Sequence, residues 1–123
     1  MSKLFLSLGS INMALVVMLG AFGAHGLRSR LSAEMMEIFQ TGVQYHVYHA
    51  LGLLAVGLIA AHFPESPYLR WAGWLMLAGI VIFSGSLYVL SMSGIRWLGA
   101  ITPVGGVSFI SAWILLLIAV LKG

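Results

Sequence analysis

Tyr45-His46-Val47-Tyr48-His49 is the most chemically loaded stretch of this chain. On a helix His46 and His49 stand about one turn apart on one face, and His25 can approach them from the preceding apolar run. Imidazoles so arranged can bind a metal, ligate haem across helices or relay protons near neutral pH. The simpler reading is a hydrogen-bond network that ties the first two helices together. An imidazole in an apolar surround needs partners under any reading, and Gln44, Ser84 and Thr102 are the candidates. We take the network as the leading reading, a bound ligand or cofactor as the second and a metal as the third. No resident cofactor or metal is expected.

Other chemistry finds little support. The chain has no paired carboxylates, no Ser-His-Asp spacing and no phosphate-cradling glycine loop, so no residue is assigned as catalytic and the expectation leans away from an enzyme. Gly20-x-x-Gly23 reads as helix packing. With no cysteine there is no disulfide, thiolate site, iron–sulfur cluster or covalently attached haem. Proton-coupled transport normally uses an acid within the membrane. The small four-helix drug exporters carry one and this chain does not, which makes a transporter or channel the weaker alternative.

The elements that must position these side chains are four apolar runs, residues 4–24, 43–61, 71–90 and 98–121, none of which contains Asp, Glu, Lys or Arg. A hydrocarbon core of roughly 30 Å takes about 20 apolar residues in a helix, so each run is read as a membrane span. The composition agrees, at 61% hydrophobic and 7% charged residues, with a mean hydropathy of +1.06. Residues 1–123 are therefore expected to form a single integral membrane domain. The formal charge of +3 is scattered over short polar segments and suits anionic lipid headgroups; nucleic acid is not an expected partner. The first run is about 20 residues long, more than a signal peptide's apolar core, and is expected to be retained as a span.

In the first connection, residues 26–42, Ser32 can cap a helix with Glu34 and Glu37 in its first turns. Leu31, Met35, Ile38 and Phe39 gather on one side, which predicts a short amphipathic segment between helices 1 and 2, lying at the interface or across the bundle mouth. Pro64 and Pro67 mark the second connection as a helix-breaking turn. Tyr45, Tyr68, Trp71 and Trp97 fall near span ends, where interfacial aromatic belts lie. Lys3, Arg70 and Lys122 share one side and Arg28, Arg30 and Arg96 the other, so the charge rule leaves orientation tied.

Helices in a bilayer associate through small and polar faces. Such a stripe runs along every span: Gly9, Asn12, Met13, Val16, Gly20 and Gly23 on the first; Gly42, Tyr45, His46, His49 and Gly52 on the second; Ser84, Tyr88 and Ser91 on the third; Gly105, Ser108 and Ala112 on the fourth. An antiparallel four-helix transmembrane bundle follows. Its topology collects His25, Gln44, His46, His49, Ser84, Ser86, Tyr88, Thr102 and Pro103 in one membrane half, and these residues form the candidate polar pocket. The opposite half contributes little beyond Asn12 and the turn with His62 and Glu65. Gly57 with Ala61, and Ser108 with Ala112, offer small-residue surfaces for contact within or between chains.

Four blocks carry a resemblance. Leu19-Gly20-Ala21-Phe22-Gly23-Ala24-His25-Gly26-Leu27, Thr41-Gly42-Val43-Gln44-Tyr45-His46 with His49, Phe83-Ser84-Gly85-Ser86-Leu87-Tyr88 and Thr102-Pro103-Val104-Gly105-Gly106-Val107-Ser108-Phe109 are similar, in order and over the whole chain, to the YgdD/YwdK-type family of small bacterial inner-membrane proteins. The resemblance implies a multi-pass protein of the bacterial inner membrane, and it supplies no reaction. The expectation is a non-enzymatic bundle that self-associates or assists a membrane complex. The alternative is a binder of a small molecule, lipid, quinone or haem near His25, His46 and His49.

Overall fold

A computed structural model describes residues 1–122, whose regular structure is entirely helical. Helix α1 spans Ser2–Phe22 and continues through one π turn, Gly23–Leu27; α2 spans Ala33–Ala60. Helix α3, Pro67–Gly79, joins α4, Gly85–Ser93, through a second π turn, Ile80–Ser84, and the three make one rod. A 3-10 turn, Arg96–Ala100, leads into α5, Thr102–Lys122. Four stretches are long and apolar enough to cross a membrane: Ser2–Leu27, Ala33–Ala60, Pro67–Ser93 and Arg96–Lys122. Each contains or nearly contains one expected span.

The helix starts follow local chemistry. Ser32 caps α2, its Oγ accepting from the Met35 N–H at 3.1 Å. Leu31, Met35 and Ile38 are half-buried, Phe39 is buried, and Glu34 and Glu37 are exposed, as their spacing predicts. The amphipathic segment is not a separate helix, however. It forms the first turns of α2, because nothing between Ala33 and Gly42 breaks a helix and one internal glycine is tolerated. At about 1.5 Å per residue α2 is roughly 42 Å long, so its first turns can stand beyond a hydrocarbon core of about 30 Å. The third span starts earlier than Trp71: Pro67 occupies the first turn of α3, and Ser66 Oγ caps it by accepting from the Leu69 N–H at 3.2 Å. Gly94, with φ of 75°, closes α4 in the left-handed region.

Packing is most extensive between α1 and α2 and between α3 and α5, and α2 also lies against α3 and α4. The α1–α2 crossing is close because Gly57 has no side chain: a Cβ there would stand 2.9 Å from the Leu6 backbone nitrogen. Ser2 Oγ donates to the Gly57 carbonyl at 2.6 Å across the same seam. On α5, Ala112 is buried and Ser108 Oγ donates to the Leu75 carbonyl at 2.7 Å. Gly57, Ser108 and Ala112 thus serve contacts within the chain.

Two apolar cores result. The larger holds Phe5, Leu53, Val56, Leu69, Met76 and Phe109 among others. The smaller, toward the mouth, holds Leu27, Phe39 and Tyr88. Glu34 and Arg96, both exposed, pair at 2.9 Å, joining the start of α2 to the α4–α5 connection. The ends of spans one and three and the starts of spans two and four therefore meet at one mouth, as the antiparallel topology requires.

Candidate functional site

Just inside that mouth, serine and threonine hydroxyls stitch the backbones together. Ser84 Oγ, wholly buried, donates to the Gly42 carbonyl at 2.8 Å. Ser86 Oγ and Thr102 Oγ1 lie 2.6 Å apart and tie α4 to α5. Ser86 also reaches the Phe83 carbonyl at 2.9 Å.

Deeper, His46 bridges three helices. Its Nε2 is 2.9 Å from Asn12 Oδ1 on α1, and its Nδ1 is 2.8 Å from the Tyr88 hydroxyl on α4. The Asn12 amide nitrogen donates to the Leu8 carbonyl at 2.8 Å, which leaves Oδ1 as the acceptor facing the imidazole. His46 therefore carries its proton on Nε2, and Tyr88 donates to Nδ1. Every polar atom of this triad has a partner. Tyr88 also packs on Phe39, with ring centroids 5.2 Å apart.

His49, one turn along α2, faces elsewhere. Trp113 Nε1–H on α5 donates to His49 Nε2 at 3.0 Å, so the His49 proton sits on Nδ1 and is donated to the Tyr45 carbonyl at 2.8 Å. The imidazole stacks on Phe109, with centroids 3.4 Å apart and planes within 8°. A protonated His49 would point a second N–H at a tryptophan nitrogen that cannot accept, so the geometry holds this ring neutral.

Of the nine candidate residues, His46, Ser84, Ser86, Tyr88 and Thr102 lie in one band of hydrogen bonds between α1, α2, α4 and α5. Three stand apart. His25 is exposed on the π turn after α1; Gln44 faces outward and donates to the Tyr48 hydroxyl; Pro103 is exposed in the first turn of α5. His49 belongs to a separate arrangement with α5. No group of three metal-ligating side chains occurs among the described residues, and all four nitrogens of His46 and His49 already have partners. His46 and His49 therefore present no free nitrogen to a metal or haem.

The opening beside His49 is of a different kind. A lateral groove of about 700 Å³ separates α2 from α5, walled by Tyr45, Tyr48, His49, Phe83, Phe109 and Trp113. Phe83 comes from the π turn in the third span, and its ring lies 4.7 Å from Tyr45 and 5.5 Å from Phe109. A π turn inserts an extra residue in the helix and re-aims the side chains that follow.

Residues 19–106, which hold the band apart from Asn12 and most of the groove lining, match the family model described as Protein of unknown function (DUF423). The chain belongs to this family. Among curated relatives it is 53% identical over 120 residues to the UPF0382 membrane protein YwdK of Bacillus subtilis, covering 98% of each chain. It is 52% identical over 120 residues to a UPF0382 membrane protein of Staphylococcus epidermidis, covering 98% of this chain and 97% of the relative. No solved structure matches it. Relatives named as membrane proteins, together with four helices able to span, make this DUF423 member a multi-pass bacterial membrane protein.

Sequence reasoning missed three participants. Asn12 was assigned to the opposite membrane half, yet it is the acceptor for His46; its place on the Gly9–Val16 stripe was the available signal. Trp113 and Phe109 carried no polar pattern, and only the crossing of α2 and α5 brings them to His49.

Proposed function

We propose that this chain is a non-enzymatic membrane protein that admits a lipid-soluble molecule from the bilayer into the groove between α2 and α5. The observation that carries this reading is the groove itself. Its volume is within the range of small-molecule sites, its lining is mainly aromatic and aliphatic, and its polar floor is already satisfied by the Trp113–His49–Tyr45 chain of hydrogen bonds. A site of this kind holds an apolar guest without leaving a buried donor or acceptor unpaired. A binding role also suits these imidazoles, since all four of their nitrogens are engaged within the chain and none is left to take a proton from a substrate.

Trp113 reports on the groove. With the full chain in nanodiscs, phospholipids brominated on the acyl chain should quench Trp113 fluorescence more than that of the interfacial Trp71 and Trp97. Filling the groove with Ile110→Phe, in a background where Trp113 is the single tryptophan, should relieve the quenching. Equal quenching of all tryptophans, unaltered by the substitution, overturns the reading.

A further inference from the structure

We propose that the groove's occupant is an uncharged flat ring bearing carbonyl acceptors and an apolar tail, the chemical class of the membrane quinones; this deepens the binding reading above and rests on it. No charged side chain lines the groove, so an ionic headgroup would find no counter-charge there. The walls are rings: Tyr45 lies against Phe83, Phe83 against Phe109, and Phe109 is stacked on His49. Flat π surfaces favour a flat guest in offset or edge contact over a saturated chain.

The rim supplies donors. The Tyr48 hydroxyl accepts from Gln44 Nε2 at 2.5 Å, which leaves its own O–H free to donate. Tyr45, in edge contact with Tyr48 at 5.6 Å, makes no hydroxyl hydrogen bond among the described residues. Trp113 N–H and His49 Nε2 satisfy each other. The groove thus offers tyrosine O–H groups without a cation or an anion, which suits neutral carbonyl oxygens.

Depth fits a ring with a tail. The lining runs from Tyr45 to Leu51 on α2 and from Gly106 to Trp113 on α5. On α5 that is about 6 to 16 Å from the helix start at about 1.5 Å per residue, from near the mouth toward the membrane middle. A ring held by the tyrosines can therefore leave its tail along Leu51 and Ile110, both of which face the lipid. An acyl chain would fill the volume but would leave the hydroxyls unused.

The test uses the full chain in nanodiscs, with Trp71, Trp74 and Trp97 replaced by Phe so that Trp113 alone emits. A benzoquinone with a decyl tail is the probe, and decanol is the ringless control. The quinone should quench Trp113 saturably; Tyr48→Phe should weaken its binding on the order of fivefold, the loss of one neutral hydrogen bond. Ile110→Phe, or Ile110→Met if the ring does not fold, should abolish the saturable component while circular dichroism stays unchanged. Two results overturn the proposal in distinguishable ways. Brominated acyl chains that quench Trp113 and are not displaced by quinone make the occupant a lipid, so the groove reading stands and the quinone class falls. Quenching by either probe that ignores the residue 110 substitutions removes both.

Discussion

His46 and His49 are neighbours on α2 and share one residue type, yet they serve two different regions. His46 closes a seam: α1 and α4 each supply one polar partner, Asn12 and Tyr88, and the ring is 2% exposed. His49 borders an opening: its partners are Trp113 and its own helix's Tyr45 carbonyl, and a groove of about 700 Å³ lies beside it. The difference shows that a helical rotation of roughly one turn's residual angle decides whether an imidazole locks a bundle or floors a cavity. Lipid gives no hydrophobic drive for helices to associate, so the seam must be held by close packing and by satisfied polar pairs. The groove can remain open because its floor needs no further partner.

The largest effect should come from breaking the seam. His46→Ala leaves Asn12 and Tyr88 unpaired and opens a cavity, and it should destabilise the protein in micelles by on the order of 3 kcal/mol. A loss well under half of that would mean that the seam is not a principal support. Tyr88→Phe and Trp113→Phe make a matched pair, since each removes one donor to an imidazole nitrogen. The Tyr88 change should cost about 1.5 kcal/mol, because the His46 acceptor is sealed between helices. The Trp113 change should cost less, about 0.6 kcal/mol, the average for interhelical hydrogen bonds in a bilayer, because His49 borders the groove and another donor can reach its freed nitrogen there. Equal losses in reversible unfolding would show that the groove is sealed like the seam. The smallest effect belongs to the exposed Glu34–Arg96 pair: Glu34→Gln should leave the unfolding midpoint unchanged, since screened surface pairs contribute little.

Much of the architecture was legible without coordinates. Apolar length announced the spans, and the small and polar stripes named most of the buried faces: Gly9, Asn12 and Val16 on α1, Gly42, His46 and His49 on α2, Ser84 on the second π turn, Tyr88 and Ser91 on α4; Tyr45, placed on the same α2 stripe, is instead exposed at the groove. Both signals are local, set by the bilayer's thickness and the helical period. The site was legible only in part. His25 shared its membrane half with the others but turned outward, because a π turn at Gly23–Leu27 re-aims the side chains at the end of the first span. Half-membrane grouping ranks residues by depth alone; azimuth around a helix that departs from regular α geometry lies outside it.

The amino-acid order by itself determined that this chain has four spans, which faces mostly turn inward, and that His46, His49, Ser84, Ser86, Tyr88 and Thr102 share one membrane half. Those properties follow from one helix at a time in an apolar solvent. Only the tertiary structure decided that Asn12 reaches His46, that Trp113 rather than His25 meets His49, and that α2 and α5 leave a groove between them. Such pairings depend on how far one helix stands from another and at what rotation, quantities that arise from the packing of all the helices together and are carried by no single segment.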